Sequence, residues 1–323
     1  MSEQRWSIED IRNMYEKPLL DVVFEAAKVH RAHHNSNEIQ LCTLRSVKTG
    51  GCPEDCAYCP QAARYQTDVE RQKMSDVDSV IRDAKQAKEE GSTRFCMGAA
   101  WREVKDNEDF ESILKMVRGV RGLGLEACCT LGMLSLDQAK RLKEAGLTAY
   151  NHNLDTSEGH YEDIIHTRTY QDRLDTLKNV AAAGISTCCG GIVGLGETTE
   201  DRIQFLYTLS HLDPQPESVP INALVPVEGT PLEKQEPVDN FEWIRMIALS
   251  RILMPQAMVR LSAGRLTIGR EAQALAFMAG ANSIFTGEKL LTTENPSWDA
   301  DHELMKVLGL KARVPQKELE PVR

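Results

Sequence analysis

The chain has 323 residues, 41% hydrophobic and 27% charged, the balance of a folded globular protein with core enough to need no disulfide staples. Its 48 acidic residues against 38 basic ones leave a net charge of −10, and no run of Lys and Arg offers a nucleic-acid footprint. No apolar run approaches the ~20 residues that cross a bilayer, and Met1–Ser7 lacks the basic-then-apolar layout of a secretory leader, so the expectation is a soluble cytoplasmic protein that engages neither nucleic acid nor membrane.

Residues 1–37 read as a helical extension with a break at Tyr15–Pro18. From Ile39 onward, short β-like runs alternate with amphipathic helices at a period of roughly 30 residues, the size of a βαβ unit. The β-like runs are Ile39–Val47, Thr93–Gly98, Ala127–Leu131, Ala149–Asn153, Ile185–Val193, Ser218–Val225, Met258–Ser262 and Ser283–Phe285. Between the first two, Ser75–Asp78 resembles a capping box. Val77, Val80, Ile81, Ala84 and Ala87 follow on one helical face, and Gly91 ends the helix. Phe110, Ile113, Leu114 and Val117 repeat the pattern, and Ser135–Gln138 is a second capping box. The rhythm predicts an α/β fold, a (β/α)8 TIM-type barrel over 38–310 behind the N-terminal helical extension. A partial barrel of six strands fits the same rhythm. Residues 311–323 read as a flexible tail.

Nine cysteines lie between Cys42 and Cys189. In a reducing compartment such a cluster points to metal binding or catalysis rather than disulfides. Cys52, Cys56 and Cys59 form a C-x3-C-x2-C loop between the first strand and the first barrel helix. That is the C-terminal mouth, where sites on this architecture sit. Thiolates suit iron–sulfur clusters or zinc. A structural zinc ion takes four closed ligands, whereas the loop has three and no neighbouring His. Three thiolates on a four-iron cluster leave one iron open to the amino and carboxylate groups of a methionine moiety. A zinc loop closed by a distant cysteine, or three unrelated thiols, are the alternatives.

Cys96, Cys128, Cys188 and Arg260 fall inside the second, third, fifth and seventh strands. Barrel strands alternate inward and outward, so these side chains can converge. One buried Cys is an ordinary core residue. Three beside a buried Arg are not, because an unpaired charge in a core is costly. The charge requires an anionic partner, which a cluster supplies. Asn151, Asn153 and Asp155 share parity on the fourth strand and its end, giving either a binding strip or a structural polar ladder. The parity of Cys42 brings it toward the same interior.

The Cys loop, with Tyr58 as its aromatic, is similar to the C-x3-C-x-aromatic-C signature of the radical S-adenosylmethionine (SAM) superfamily. Gly190–Glu197 is similar to its G-x-I-x-G-x-x-E segment. Beyond the superfamily, Lys48–Cys56, Arg94–Trp101, Tyr150–Thr156, Ser218–Asn222 and Val259–Arg265 resemble the biotin synthase family, and the likeness runs from about Trp6 to Leu310. The resemblance implies a 4Fe–4S cluster on Cys52, Cys56 and Cys59, with SAM against Tyr58, Ala100, Asn153, Asp155, Arg173 and Ile192. It implies a 2Fe–2S cluster on Cys96, Cys128, Cys188 and Arg260, and dethiobiotin against Asn151, Asn153, Asn222, Thr292 and Thr293. Cys129 and Cys189 then face outward as core thiols, and His152 packs behind the polar strip. The implied reaction is radical sulfur insertion that turns dethiobiotin into biotin, the last step of biotin synthesis, with sulfur from the second cluster. A flavodoxin- or ferredoxin-type electron donor and a homodimer come with the same likeness. Hydrogenase-cluster maturases and methylornithine synthase share the first motif and much of the fourth-strand region, without the set Cys96, Cys128, Cys188 and Arg260.

Overall fold

Nine short parallel strands make eight staves of a closed barrel in the computed structural model, which describes residues 6–314. They are β1 (Glu38–Lys48), β2 (Arg94–Ala99), β3 (Glu126–Thr130), β4 (Ala149–Asn151), β5 (Ser186–Cys188), β6 (Gly191–Val193), β7 (Ser218–Ala223), β8 (Met258–Leu261) and β9 (Ser283–Thr286). β9 pairs with β1, Leu41 opposite Ile284, which closes the ring and removes the six-stranded alternative. A closed ring leaves no sheet edge to pair with another chain.

The fifth stave departs from the sequence expectation of one run, Ile185–Val193. It splits into β5 and β6, both paired to β7, with Cys188 opposite Ser218 and Gly191 opposite Ile221. The cause is close backbone approach at the break. A Cβ on Gly190 would run into the Pro220 carbonyl, and one on Gly191 would meet the Asp155 carbonyl. The fourth strand also ends sooner than expected, at Asn151. Asp155 turns the chain with φ 68°, a left-handed conformation that Asp tolerates better than most residues.

The helices that follow the strands are α3 (Val77–Glu89), α4 (Glu108–Gly122), α5 (Leu136–Glu144), α6 (Glu158–Ile164), α7 (Tyr170–Ala182), α8 (Thr199–Ser210), α9 (Asn240–Leu253), α10 (Arg270–Met278) and α11 (Trp298–Leu308). Ahead of them stand α1 (Ile8–Tyr15) and α2 (Leu19–His33), separated at Pro18. α2 buries Val22, Val23, Ala26 and Ala27 on one face and packs on α9. The start of α3 differs in detail from the sequence reading. Asp76 caps it alone, accepting from the Ser79 N–H at 2.8 Å, with no reciprocal bond. Ser135 and Gln138 do form a capping box on α5.

Two apolar layers result. Between strands and helices lie residues such as Phe95, Met97, Phe110, Val117 and Tyr150, with Cys129 among them, and on the other side Trp243, Ile247 and Leu249, with Cys189. Burying each large aliphatic side chain is worth roughly 1.5–3 kcal/mol. The barrel interior is smaller and sulfur-rich, built on Cys42, Cys96, Cys128, Ala149, Phe285 and Leu290. The expected tail begins as a short strand, β10 (Lys311–Ala312), beside the start of β1. The rest of that tail, from residue 315, and residues 1–5 of the extension lie outside the described residues. Among the described residues no helix is long and apolar enough to cross a membrane.

Candidate functional site

β1 delivers the chain to the barrel mouth, where Gly50 and Gly51, both left-handed, turn it into the three-cysteine loop. The loop is held by its own backbone: Cys52 N–H donates to Gln61 O at 2.9 Å, Ala63 N–H to Cys52 O at 2.7 Å, and Cys59 N–H to Cys56 O at 2.9 Å. Asp55 ties it to the segment between α6 and α7. Its carboxylate accepts from the backbone N–H of His166 at 3.0 Å and of Thr167 at 3.1 Å. Burial pushes the Asp55 carboxyl up, but these bonds outweigh it and hold the group below the usual carboxylate range. Cys56 and Cys59 are pushed up to about 11 and about 12, first by burial. Burial thus keeps both thiols protonated at neutral pH. Arg168, which the sequence reading did not single out, lies 3.9 Å from Cys56 Sγ and 3.9 Å from Glu54.

Deeper in the barrel, register brings the second sulfur set together. Cys96 is opposite Cys128 across β2 and β3, and Cys188 is opposite Asn151 across β4 and β5. Cys96 and Cys128 act most strongly on each other, and their pairing pushes the Cys96 thiol up and the Cys128 thiol down. Arg260 is fully buried. Its Nε donates to Ser283 Oγ at 2.9 Å, its Nη2 to Gln40 Oε1 at 3.3 Å, and its Nη1 lies 3.6 Å from Cys188 Sγ. Cys42 belongs to the same interior cluster, with its sulfur 3.7 Å from Ser283 Oγ.

The polar strip occupies the wall between the two sulfur sets. Asn151 Nδ2 donates to Asn153 Oδ1 at 2.9 Å and to Cys188 O at 3.2 Å, and Gly190 N–H donates to Asn153 Oδ1 at 3.1 Å. Asn222 braces two staves, donating to Gly191 O at 2.9 Å and accepting from Ala263 N–H at 3.0 Å. Tyr58 Oη donates to Asp155 Oδ2 at 2.7 Å, and Arg173 pairs with the same oxygen at 2.5 Å. Arg173 is not the exposed first-turn arginine that its helix position allowed. It is buried, and also reaches Tyr161 Oη at 2.8 Å and the Asn153 carbonyl. His152 is buried beside Tyr150. Burial first, then Arg168 and Arg173, hold it far below its usual range, so it is neutral.

Every site residue expected from the sequence lines one cavity of about 310 Å3. The loop cysteines and Tyr58 stand near its mouth, and Cys96, Cys128, Cys188 and Arg260 at its depth. Asn151, Asn153, Asp155, Arg173, Ile192 and Asn222 lie on its wall, with Ala100, Thr292 and Thr293 on the remaining side. Among the described residues no three His, Cys, Asp or Glu side chains converge as ligands of a single ion do. The two thiol trios ring a shared space instead, and all-sulfur donor sets suit iron–sulfur groups. At the deep set a second observation fits an anionic group. Among the described residues no carboxylate pairs with the buried Arg260, which leaves its positive charge without an anionic side chain beside three thiols.

Comparison with known proteins agrees with this architecture. Residues 46–209 match the model of the Radical SAM superfamily, and residues 220–311 match the Biotin and Thiamin Synthesis associated domain. The chain is 61% identical to a biotin synthase of Cytophaga hutchinsonii, over 95% of this chain and 91% of that protein. It is 61% identical to a biotin synthase of Myxococcus xanthus, over 97% of this chain and 90% of that protein. A mitochondrial biotin synthase of Arabidopsis thaliana is 58% identical over 96% of this chain and 82% of its own length. Among solved structures, methylornithine synthase superposes with a TM-score of 0.81 at 19% identity, covering 99% of this chain and 97% of that one. An FeFe-hydrogenase maturase from Carboxydothermus hydrogenoformans gives 0.80 at 16% identity, covering 96% of this chain and 76% of that one. At such identities these two likenesses concern the fold.

Proposed function

The chain belongs to the biotin synthase family of radical SAM enzymes, and from that premise we propose that it inserts sulfur into dethiobiotin to make biotin, with Cys52, Cys56 and Cys59 holding a 4Fe–4S cluster and Cys96, Cys128, Cys188 and Arg260 holding a 2Fe–2S cluster. The observation that carries the reading is the enclosure of both thiol sets, with a buried arginine at the deeper one, in a single cavity. When bound, the first cluster and SAM supply a 5′-deoxyadenosyl radical that abstracts hydrogen from dethiobiotin, and the second cluster supplies the sulfur.

The chain's own residues have four tasks. Tyr58 and Arg173 hold Asp155 through one carboxylate oxygen, Oδ2, so that the other is left to take the SAM ribose hydroxyls. Ile192 and the Ala100 segment give the adenine apolar and backbone surface. Asn151, Asn153 and Asn222 present amide donors and acceptors that match a cyclic urea, and a preset amide array costs little ordering on binding. Thr292 and Thr293 offer hydroxyls to the carboxylate tail. The closed staves exclude water from radical chemistry.

The same reading takes residues 1–37 as an extension and 38–310 as the barrel. It includes a homodimer in the cytoplasm, reduced by a flavodoxin- or ferredoxin-type protein. Its test is biotin formation by anaerobically reconstituted protein given dethiobiotin, SAM and a reductant. About six irons per chain are expected, and about four would remove the second cluster. A colourless protein that carries zinc and makes no biotin would overturn it.

A further inference from the structure

Below the cavity, the floor of the barrel holds a line of buried polar side chains that the reaction as described does not use. Gln40, on β1, is 1% exposed. Its Nε2 donates to Glu126 Oε2 at 3.2 Å, and its Oε1 accepts from Arg260 Nη2 and Ser283 Oγ, each at 3.3 Å. A carboxylate only accepts, so Glu126 dictates which end of the amide faces it and turns the carbonyl oxygen toward Arg260. Glu126 is itself fixed by Arg94 Nε at 2.7 Å, and Arg94 also grips Glu217 at 3.0 Å.

We propose that Gln40 is a positioning residue for the second cluster, selecting Nη1 of Arg260 as the nitrogen presented to the sulfur layer. Ser283 and Gln40 together occupy the Nε and Nη2 edge of the guanidinium. Nη1 is thereby left toward Cys188, 3.6 Å away. An amide does this without cancelling the arginine's charge. A carboxylate at position 40 would form an ion pair with Arg260 and spend on the floor the charge that offsets the cluster. Gln40 touches none of Cys96, Cys128 and Cys188 by hydrogen bond, so its influence passes through Arg260.

This inference rests on the proposed second cluster. The test uses full-length protein reconstituted without oxygen as wild type, Gln40→Met, Arg260→Met and the double variant. Iron content, visible absorption and the reduction potential of the second cluster are measured. Gln40→Met is expected to keep the wild-type iron content and to shift the bands and potential of the second cluster. The double variant is expected to match Arg260→Met alone, because a residue acting through a partner has no further effect once that partner is gone. Wild-type bands and potential in Gln40→Met would overturn the proposal, and so would a double variant whose shift is the sum of the two single ones. If Gln40→Met does not fold, Gln40→Glu serves. Its added negative charge is expected to lower the potential, and an unchanged potential refutes the inference. Wild-type protein with only about four irons would overturn the second cluster itself and this inference with it.

Discussion

Tyr58 and Asp155 are joined by a 2.7 Å hydrogen bond that links the three-cysteine loop to the turn after β4, although the two residues are 97 apart in sequence. The same carboxylate oxygen takes the Arg173 guanidinium, so one buried acid sets the spacing of loop, wall and helix α7.

Asp155→Asn should therefore be costly without disturbing the backbone. Asn accepts the left-handed conformation at this position, but it leaves Arg173 charged and unpaired. The expected loss is about 3 kcal/mol, the usual result of breaking a buried ion pair from one side. Asp155→Ala should lose about 1–2 kcal/mol more through the strained φ. Denaturant midpoints of the metal-free proteins give both values, and equal midpoints for wild type and Asp155→Asn would refute the assignment.

Cys128→Ser should separate the two proposed chemistries. Because Cys128 is on β3 and Cys52, Cys56 and Cys59 are in the loop after β1, the variant is expected to retain about four irons per chain and SAM cleavage, and to make no biotin. Cys56→Ala should lose SAM cleavage as well. Iron analysis and 5′-deoxyadenosine assay on the same preparations distinguish these outcomes.

Acid should weaken the fold through the helices behind the barrel. Burial, and then the Arg251 charge, push His30 down to about 3 and His34 down to about 4. In the unfolded chain each titrates near 6.5. The unfolded state thus binds more protons in the window from about 6.5 down to these lower values. Stability is fully present above it and falls as pH drops through it, by at most about 1.4 kcal/mol per pH unit for each histidine. Urea midpoints between pH 7 and pH 4.5 should show the fall, and His30→Leu should flatten it.

Gly98, at the end of β2, has the side chain of Leu291 where a Cβ would sit. Gly98→Ala should displace the 290–293 segment rather than the barrel, since the obstructing atoms are the end of a flexible side chain. The KM for dethiobiotin is expected to rise roughly tenfold, the effect of ~1.4 kcal/mol, with SAM binding retained. A KM unchanged from wild type would detach Thr292 and Thr293 from the substrate tail.

Much of this was legible in the sequence because its signals were short-range. The spacing of Cys52, Cys56 and Cys59 is complete within one loop, and strand parity let Cys96, Cys128 and Cys188 meet in one interior, the family resemblance choosing Cys128 and Cys188 over their neighbours Cys129 and Cys189. The break in the fifth stave was not legible, since its cause is the Pro220 carbonyl, which lies 30 residues further along the chain from Gly190. Arg168 and Gln40 were missed for a related reason. Their partners, Cys56 and Arg260, are 112 and 220 residues distant, and neither residue belongs to a local pattern. Arg173 was noticed, but its burial against Asp155 depends on how α7 docks on the barrel.

The floor formed by Gln40, Arg94, Arg260 and Ser283, all 3% exposed or less, closes the barrel beneath the deep sulfur set. On the proposed reading, a group held by Cys188 above that floor would have to be installed before dethiobiotin covers it. Turnover would then depend on the order of loading as well as on the chemistry inside.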